Sequence, residues 1–413
     1  MEKGSDGMIR FIHAADLHLD RPFSGMSRLP AALYERMRDS TFLALKRLVR
    51  YAIREQVDFI IIAGDIFDAH QRSIRAQKRF IQAMNDLKQA SIPAFVIFGN
   101  HDPLGDWQNQ LRLPDNVHVF PAHPAHFSLL TSAGEHVHLY GASYGHRHEH
   151  ESLVSGYGKI AGADYHIGIL HGALRAAGKD EAYAPFTLES LADKGFDYWA
   201  LGHIHKRQKL SDVPPVWYSG SIQGLSIKET GEKGVSLVTL AHHETQIRFM
   251  PTADILWKKS EIRINGADIL EQANATIQKI KERMREKDKG VFLKFDLTAD
   301  DSGLGLAAFQ SFLEELFGAM NDEETDRPDF VWIFEGTVNL RPQWSHQEIL
   351  QSPHFIGDLF RVIEEGNDPE EALNPLYHHR FGSRYLSLPD SAEMEKIKAQ
   401  AQQIVADALL DGK

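Results

Sequence analysis

The stretch Phe59-Ile-Ile-Ile-Ala-Gly-Asp-Ile-Phe-Asp68 is an apolar run of strand length that ends in a glycine and two carboxylates. Similar apolar runs lie at Ile9–Ile12 and Ala94–Phe98, and helical patterns within about 28–55 and 71–90 connect the three runs. Short, continuously apolar strands joined by helices predict a mostly parallel sheet with helices on its faces. Ligands of such sheets bind beyond the carboxyl ends of the strands. The polar residues that follow each strand are therefore the candidate site.

The rest of the chain divides by pattern into three further stretches. Closely spaced short strands from about 117 to 252 predict a second, more antiparallel sheet that packs against the first. Strand and helix patterns from 253 to 342 predict a small α/β capping domain, and residues 343–413 read as a helical tail. We therefore expect an α/β protein with a two-sheet domain over 8–252, followed by these two smaller parts.

Composition and charge exclude several classes of protein. The 413 residues include no cysteine, which rules out disulfides, thiolate metal sites, iron–sulfur clusters and a cysteine nucleophile. The net charge of −12 argues against a protein that coats nucleic acid by bulk attraction. No apolar run approaches the ~18 residues of a membrane span, and the polar opening Met1–Gly7 does not resemble a secretion signal. We expect a soluble, cytoplasmic protein without a membrane partner.

Five polar segments share one position, because each begins where an apolar strand ends. Their imidazole nitrogens and their carboxylate or amide oxygens, without sulfur, suit Mn²⁺, Fe²⁺ or Zn²⁺. On an extended segment an Asp-x-His or His-x-His spacing points both side chains to one side, as chelation requires. A shared carboxylate can bridge two ions about 3.5–4 Å apart, which orient a bridging hydroxide for in-line attack on phosphorus. The segments are Asp16-Leu-His18, Gly64–Asp68, Gly99-Asn-His-Asp102, His171-Gly172 and Gly202-His-Ile-His205.

In this order the five segments resemble the motifs of the calcineurin-like metallophosphoesterases. Within that superfamily, the segments Phe59–Asp68 and Gly99–Asp102 resemble the SbcD-type DNA repair exonucleases. The start Ala15-Asp-Leu-His-Leu-Asp20 resembles the YhaO-like bacterial branch of that family. The resemblance covers about residues 8–252, and the rest of the chain is similar only in layout.

The resemblance implies a role for each residue of the site. Two divalent ions, most often Mn²⁺, share Asp65, which is a ligand to both. His101 is not a ligand in this assignment; it stabilises the transition state and helps to protonate the leaving oxygen, while Asp68 hydrogen-bonds His101. Independently of the resemblance, we assign Asp102 a structural role in turning the loop before Pro103. The other ligands are Asp16, His18 and His205 for one ion, and Asn100, His171 and His203 for the second.

The predicted function is a two-metal phosphodiesterase, a DNA exonuclease that acts in DNA repair with an SbcC-like coiled-coil ATPase subunit. The helical tail would be the docking element for that subunit, and a homodimer is left open. One alternative is a phosphatase or phosphodiesterase of nucleotides and other small phosphoesters. A second is a non-catalytic scaffold with the same fold, although every ligand position holds a competent residue.

Two further patterns could indicate binding sites, but we prefer to interpret them as ordinary solvent-exposed residues. Eight histidines between His118 and His150 could form another metal site, but such residues on strands and in polar loops are more often solvated. Six basic residues between Lys279 and Lys289 could contact DNA, but interleaved acidic residues indicate a solvated helix face.

Overall fold

The computed structural model describes residues 7–23, 26, 29–68, 73–106, 111–175, 183–241, 244–264, 268–341, except 301–305, and 346–410, except 367–368 and 380–388. The chain forms two compact units. Unit 1 consists of Met1–Lys258, Glu286–Phe292 and Thr325–Phe330. Unit 2 consists of Lys259–Arg285, Leu293–Glu324 and Val331–Lys413. The predicted division at 253 and 343 stays a prediction.

Unit 1 contains two six-stranded sheets and three α-helices among its described residues. The first sheet has the strand order β12-β11-β1-β2-β3-β4, and the second has the order β5-β6-β7-β8-β10-β9. The strands are β1 (Met8–Ala14), β2 (Phe59–Ala63), β3 (Ala94–Ile97), β4 (Val117–Val119), β5 (Ala125–Leu130), β6 (His136–Gly141), β7 (Tyr165–His171), β8 (Tyr198–Gly202), β9 (Gln208–Asp212), β10 (Pro215–Tyr218), β11 (Gly234–Ala241) and β12 (Glu244–Pro251). The helices are α1 (Ala31–Arg54), α2 (Ile74–Gln89) and α3 (Leu188–Ala192).

Strand β2 lies at the centre of the first sheet and is buried on both faces. It pairs in parallel with β1, with Ile60 opposite Ile12, and with β3, with Ile62 opposite Val96. Because strand side chains alternate, Ile60 and Ile62 join the core under the helices, while Ile61 joins the core between the sheets. This explains why the strand reads as a continuous apolar run.

The two helices of the βαβαβ unit cover the outer face of the first sheet. Helix α1 buries apolar residues that include Leu45 and Leu48, and α2 buries Phe80 and Met84 in the same core. The Ser73 hydroxyl caps α2 by accepting a hydrogen bond from the Ala76 amide at 2.9 Å. Both helices thereby hold the parallel strands whose carboxyl ends carry the site.

The second sheet is more parallel than the sequence predicted. Strands β6, β7, β8 and β10 are parallel neighbours, and only the outer pairs β5–β6 and β9–β10 are antiparallel. The connections over residues 142–164 and 172–197 are long enough for parallel crossovers, which the spacing of short strands did not reveal. As a result, β7 and β8 present their carboxyl ends at one edge, as β1, β2 and β3 do.

Unit 2 is also mixed α/β and ends in helices. A three-stranded sheet has most of its residues in this unit and has the order β13-β14-β15, formed by Ile255–Ile264, Gly290–Asp300 and Val331–Arg341. Two further helices are α4 (Ile269–Met284) and α5 (Leu306–Asp322). The tail contains α6 (His346–Leu350), α7 (Phe355–Gly366), α8 (Pro369–Tyr377) and α9 (Ser391–Leu410). No helix in the described part of the chain is long and apolar enough to cross a membrane. The predicted α/β architecture with a helical C-terminal region is confirmed.

Candidate metal centre

All the polar segments predicted for the site lie at one edge of unit 1. Asp16 and His18 follow β1, Asp65 follows β2, Asn100 and His101 follow β3, His171 ends β7, and His203 and His205 follow β8. The two sheets approach closely here. A Cβ atom at Gly64 would collide with the His171 imidazole, and one at Gly202 would collide with the carbonyl oxygen of Ala63. Glycine is therefore required for both sheets to contribute side chains to one site.

The backbone of the site departs from extended geometry. The φ angles of Asp16, His18, Asp65 and His203 are 50°, 42°, 51° and 97°, in a region that residues with a Cβ rarely adopt. Backbone hydrogen bonds hold two of these loops together, from the Asp16 amide to the Gly64 carbonyl at 3.1 Å and from the His18 amide to the Asp65 carbonyl at 3.0 Å. Asp16, His18 and His203 therefore do not lie on the extended segments that their Asp-x-His and His-x-His spacings predicted, and tight turns orient these side chains.

One group of candidate ligands consists of Asp16, His18 and His205. The Nε2 atoms of His18 and His205 lie 3.0 Å apart, and Oδ2 of Asp16 is buried without a hydrogen-bond partner among the described residues. A buried, unpartnered carboxylate oxygen beside two imidazole nitrogens is costly unless a cation is bound. This group fits a divalent metal ion.

A second group consists of Asp16, Asp65 and His171. Oδ1 of Asn100 lies 3.0 Å from Nε2 of His171 and 3.2 Å from Nδ1 of His203, which adds two more potential ligands. Oδ2 of Asp65 lies 3.5 Å from Nε2 of His171 and 3.7 Å from Nε2 of His18. Asp16 is common to both groups, and Asp65 of the second group also lies near His18 of the first.

The electrostatics of the site favour bound cations. Burial, together with the charge of Asp65, raises the pKa of Asp16 to about 6, despite the opposing effect of His205 and His171. Burial also favours the neutral form of Asp65, but His171, His18 and His101 outweigh it and lower the pKa of that carboxyl group. Two carboxylates buried side by side are a site that divalent cations stabilise.

His203 and His18 are held in the form that binds metals. Burial lowers the pKa of His203 to about 3 and lowers the pKa of His18 well below its ordinary value. Neutral imidazoles carry the lone pair that a metal ligand needs. With nitrogen and oxygen donors and no sulfur, the site fits Mn²⁺, Fe²⁺ or Zn²⁺.

His101 and Asp68 lie beside the first group. The His101 amide donates to Oδ1 of Asp65 at 2.9 Å, and its ring meets the His18 ring edge-on at a centroid distance of 4.9 Å. Nδ1 of His101 has no hydrogen-bond partner among the described residues. Asp68 belongs to one cluster with His18 and His101, and its Oδ2 lies 3.4 Å from Nε of Arg21. The assignment of a proton-holding role to Asp68 stays a prediction.

Asp102 organises the loops of the site as a structural residue. Its carboxylate is fully buried and accepts hydrogen bonds from the amides of Ile66 at 2.7 Å, Phe67 at 3.1 Å and Gly99 at 2.8 Å. These contacts tie the loop after β2 to the loop after β3. The predicted loop-building role of Asp102 is confirmed.

Glu229 is a residue of the site that sequence reasoning missed. Its Oε1 accepts a hydrogen bond at 2.8 Å from Nδ1 of His205, and its Oε2 accepts one at 3.2 Å from the Ser221 hydroxyl. A proton on Nδ1 leaves the lone pair of His205 on Nε2, which faces His18. The loop sequence around Glu229 contains no strand end and no motif, so no sequence signal identifies Glu229 as a residue of the site.

The predicted histidine-rich stretch splits between the core and the surface. His118 stacks on Phe95 at 5.0 Å, and Nδ1 of the buried His138 lies 3.4 Å from the Tyr140 hydroxyl. The other six histidines of the stretch are exposed. The candidate metal clusters among the described residues include none of these histidines. This agrees with the interpretation that the stretch does not form a second metal site.

Comparisons with known proteins agree with the site. A family model described as calcineurin-like phosphoesterase matches residues 9–207. The metallophosphoesterase YhaO of Bacillus subtilis is 36% identical over 400 residues, which cover 96% of this chain and 97% of the relative. The DNA double-strand break repair protein Mre11 of Methanocaldococcus jannaschii is 23% identical, with 90% of this chain and 99% of the relative covered. The Mre11 protein of Thermoplasma acidophilum is 26% identical, with 63% and 71% covered. The chain belongs to the calcineurin-like metallophosphoesterase family.

Proposed function

We propose that this protein is a two-metal phosphodiesterase that cleaves DNA as an exonuclease in DNA repair. The observation that carries the proposal is the position of Asp65 near both His18 and His171, which belong to two groups of nitrogen and oxygen donors. Asp16, His18 and His205 would hold one ion with Asp65. Asn100, His171 and His203 would hold the second with the same carboxylate.

The chain's own residues would position the phosphodiester, stabilise the negative charge of the phosphoryl group and supply a proton to the leaving oxygen. When bound, such paired ions supply Lewis-acid polarisation of a phosphoryl oxygen and a nucleophile at neutral pH. His101 is half-buried at the site, where an imidazole can stabilise the charged phosphoryl group and protonate the leaving oxygen. Burial lowers the pKa of His101, and the negative charges of Asp65 and Asp68 oppose this shift without reversing it.

The choice of DNA as substrate rests on the relatives. Two of them are DNA double-strand break repair proteins, and one of these is matched over 99% of its length. A small phosphoesterase needs little beyond the two-sheet domain, whereas this chain carries a second unit with its own sheet and four further helices at its end. The native metal we propose is Mn²⁺.

A coiled-coil ATPase subunit is the proposed partner, and the tail helices are its proposed docking element. Apolar side chains on these helices are exposed, with Phe355 at 69%, Val362 at 59% and Ile404 at 50%. Contiguous exposed apolar patches are typical of protein interaction sites, and we propose that these side chains contribute to one. The homodimer and the cytoplasmic location stay predictions.

The test measures Mn²⁺-dependent release of nucleotides from duplex DNA beside hydrolysis of bis(p-nitrophenyl) phosphate. We expect both activities in the wild type, and losses of at least about 100-fold in Asp65→Ala and His101→Ala. His136→Ala is the control, because His136 is an exposed histidine on β6 outside the site.

Each outcome separates the alternatives. Hydrolysis of the small diester without DNA cleavage would indicate a phosphodiesterase of small substrates. Unchanged hydrolysis in a folded His101→Ala protein would refute the catalytic assignment of His101. Absence of both activities with both ions bound would favour the scaffold.

A further inference from the structure

A row of aromatic rings leads from the candidate metal centre to the surface of unit 1. The ring centroids of His203 and Tyr183 are 4.8 Å apart, those of Tyr183 and His148 are 5.7 Å apart, and those of His148 and His150 are 6.2 Å apart. His148 and His150 are exposed, and Tyr183 is half-buried. Exposed rings in a row contribute little to a core, so their arrangement calls for another role.

The backbone holds this row firmly. The Ala184 amide donates to the Glu149 carbonyl at 2.6 Å, and the Ala173 amide donates to the Tyr183 carbonyl at 2.9 Å. Oε1 of Glu149 in turn accepts hydrogen bonds from the amides of Gly145 at 3.0 Å and His146 at 3.3 Å. The side chain of Glu149 thus points into its own loop.

The two residues that flank Glu149, His148 and His150, carry rings on the face opposite the Glu149 side chain. Glu149 pairs with Tyr183 in an isolated parallel β-bridge, so the segment around it is extended. Side chains at i−1 and i+1 of an extended segment lie on the face opposite residue i. His148 and His150 therefore lie on the same face. The plane of the His148 ring makes an angle of 45° with the Tyr183 ring and of 30° with the His150 ring.

The row begins at the site of the reaction. Nδ1 of His203 lies 3.2 Å from Oδ1 of Asn100, which places this ring among the candidate ligands. Tyr183 is the next ring outward from it. A phosphodiester held at the centre would therefore have its adjoining nucleoside beside Tyr183.

Two exposed basic residues lie close in sequence to segments that contact Tyr183 or carry the candidate ligands. Arg175 lies two residues beyond Ala173, the hydrogen-bond partner of Tyr183, and Lys206 follows His205; both side chains are exposed. Proteins that bind unpaired nucleic acid combine aromatic rings, on which successive bases stack, with positive charge along the backbone. More than one ring in sequence suits successive bases of a strand better than a single nucleotide.

We propose that Tyr183, His148 and His150, here called the aromatic row, form a binding site for the unpaired bases of the strand being cleaved. This inference rests on the proposed function and extends it, because it makes a single-stranded end the form of nucleic acid that enters the metal centre. Duplex ends would have to separate by a few bases to be bound.

The experiment compares two fluorescein-labelled single strands of equal length, one with bases and one abasic, on the full-length protein. Dissociation constants are measured by fluorescence anisotropy in EDTA, and cleavage rates are measured in Mn²⁺. We expect the wild type to bind the strand with bases about tenfold or more tighter than the abasic strand. This ratio should fall at least about fivefold in Tyr183→Ala and in His148→Ala.

Two matched variants separate stacking from other causes. Tyr183→Phe keeps the ring and should keep the ratio, and His136→Ala removes an exposed histidine elsewhere and should change nothing. Thermal unfolding of each variant identifies loss of folding, and His148→Ala serves if Tyr183→Ala does not fold. An unchanged ratio in both alanine variants, or a wild type without preference for bases, overturns the inference.

The design distinguishes this inference from the proposed function. If the protein prefers bases in the binding assay but cleaves no nucleic acid, the aromatic row stands and the nuclease proposal fails. If the protein cleaves both strands equally well, the nuclease proposal stands and the aromatic row fails.

Discussion

At the scale of single residues, the candidate centre depends on contacts that orient its side chains as much as on the ligands themselves. Glu229 fixes which nitrogen of His205 carries the proton, through a hydrogen bond of 2.8 Å. Asp102 fixes two of the loops through three backbone amides. Such outer contacts keep the imidazole and carboxylate groups in the geometry that a metal ion requires.

The first prediction concerns Glu229. Glu229→Gln replaces an acceptor-only carboxylate by an amide that can also present a donor to Nδ1 of His205, so the ring loses its fixed tautomer. We expect the affinity of the site at Asp16, His18 and His205 to fall by about 10- to 100-fold. Isothermal titration with Mn²⁺ measures this change, and the second site should keep its affinity.

Glu232→Gln is the matched control for this change. Glu232 lies on the same loop but pairs with Lys289 at 2.5 Å, away from the candidate ligands. Equal metal affinity in Glu229→Gln and Glu232→Gln would show that Glu229 does not orient His205.

At the scale of elements, the close approach of β2 to β7 and β8 makes the site. Gly64 and Gly134 both have left-handed backbone, with φ angles of 92° and 94°. A Cβ at Gly64 would meet the His171 ring, whereas one at Gly134 would meet nothing within 4 Å. Substituting alanine at Gly134 therefore measures the cost of the left-handed backbone alone, whereas substituting it at Gly64 measures that cost together with the collision.

The second prediction uses this pair. Gly134→Ala should lower the free energy of unfolding by about 1–2 kcal/mol, the cost of a left-handed alanine. Gly64→Ala carries the same cost, and the collision with His171 should add about 1–3 kcal/mol and weaken Mn²⁺ binding. Urea unfolding and metal titration of the two variants test this. Equal losses of stability would mean that the two sheets can separate here without penalty.

The third prediction concerns the ion pairs that Glu324, just after α5, forms with Lys281 and Arg285 at the end of α4 in unit 2. Glu324 is 2% exposed and lies 2.9 Å from Arg285 and 3.0 Å from Lys281. Burial alone would raise the pKa of Glu324, but hydrogen bonds from Arg285, the Val331 amide and Lys281 outweigh it and lower this pKa to about 2. The folded state therefore binds the proton of Glu324 more weakly than the unfolded chain does.

The sign of the pH effect follows from this lowered pKa. Stability from Glu324 is fully present above its unfolded pKa of 4.5 and is lost as the pH falls towards 2. The contribution at neutral pH is about 3 kcal/mol. We expect urea unfolding to show this advantage over Glu324→Gln at pH 7 and a smaller one at pH 3. A difference that is the same at both pH values would contradict the prediction.

At the scale of the whole molecule, the candidate centre exists only in the folded chain. Its ligands lie between Asp16 and His205, on loops that follow strands of both sheets of unit 1. An ion that binds this arrangement stabilises the folded state over the unfolded state by mass action. Metal binding and folding of unit 1 are therefore coupled.

The fourth prediction follows from this coupling. Mn²⁺ at about 100 times its dissociation constant should add roughly 2.7 kcal/mol to the stability of the wild type for each site, and so raise its melting temperature. Asp65→Ala, which removes the carboxylate near His18 and His171, should show little or no increase. Differential scanning calorimetry with increasing Mn²⁺ measures both proteins. An equal shift in Asp65→Ala would place the binding of the metal elsewhere.

Residue patterns alone were enough to predict the strands of the first sheet and the polar segments that follow them. Continuous apolar runs such as Phe59–Ala63 are explained by burial on both faces, and the polar segments after them had to lie at one sheet edge. The same reasoning identified Asp16, His18, Asp65 and His171 as neighbours. These features are local, because they depend on the period of the side chains and on where each strand ends.

The remaining features depend on long-range contacts in the folded chain. The parallel order of β6, β7 and β8 depends on long crossovers, which the spacing of short strands does not encode. The left-handed backbone at His203, with φ of 97°, and the separate contacts of the His203 ring with Asn100 and of the His205 ring with His18 are not visible in the residue pattern. Glu229 and Tyr183 reach the centre from loops without any motif. Contacts between residues far apart in the chain are set by how the two sheets pack, and that packing is a property of the whole fold.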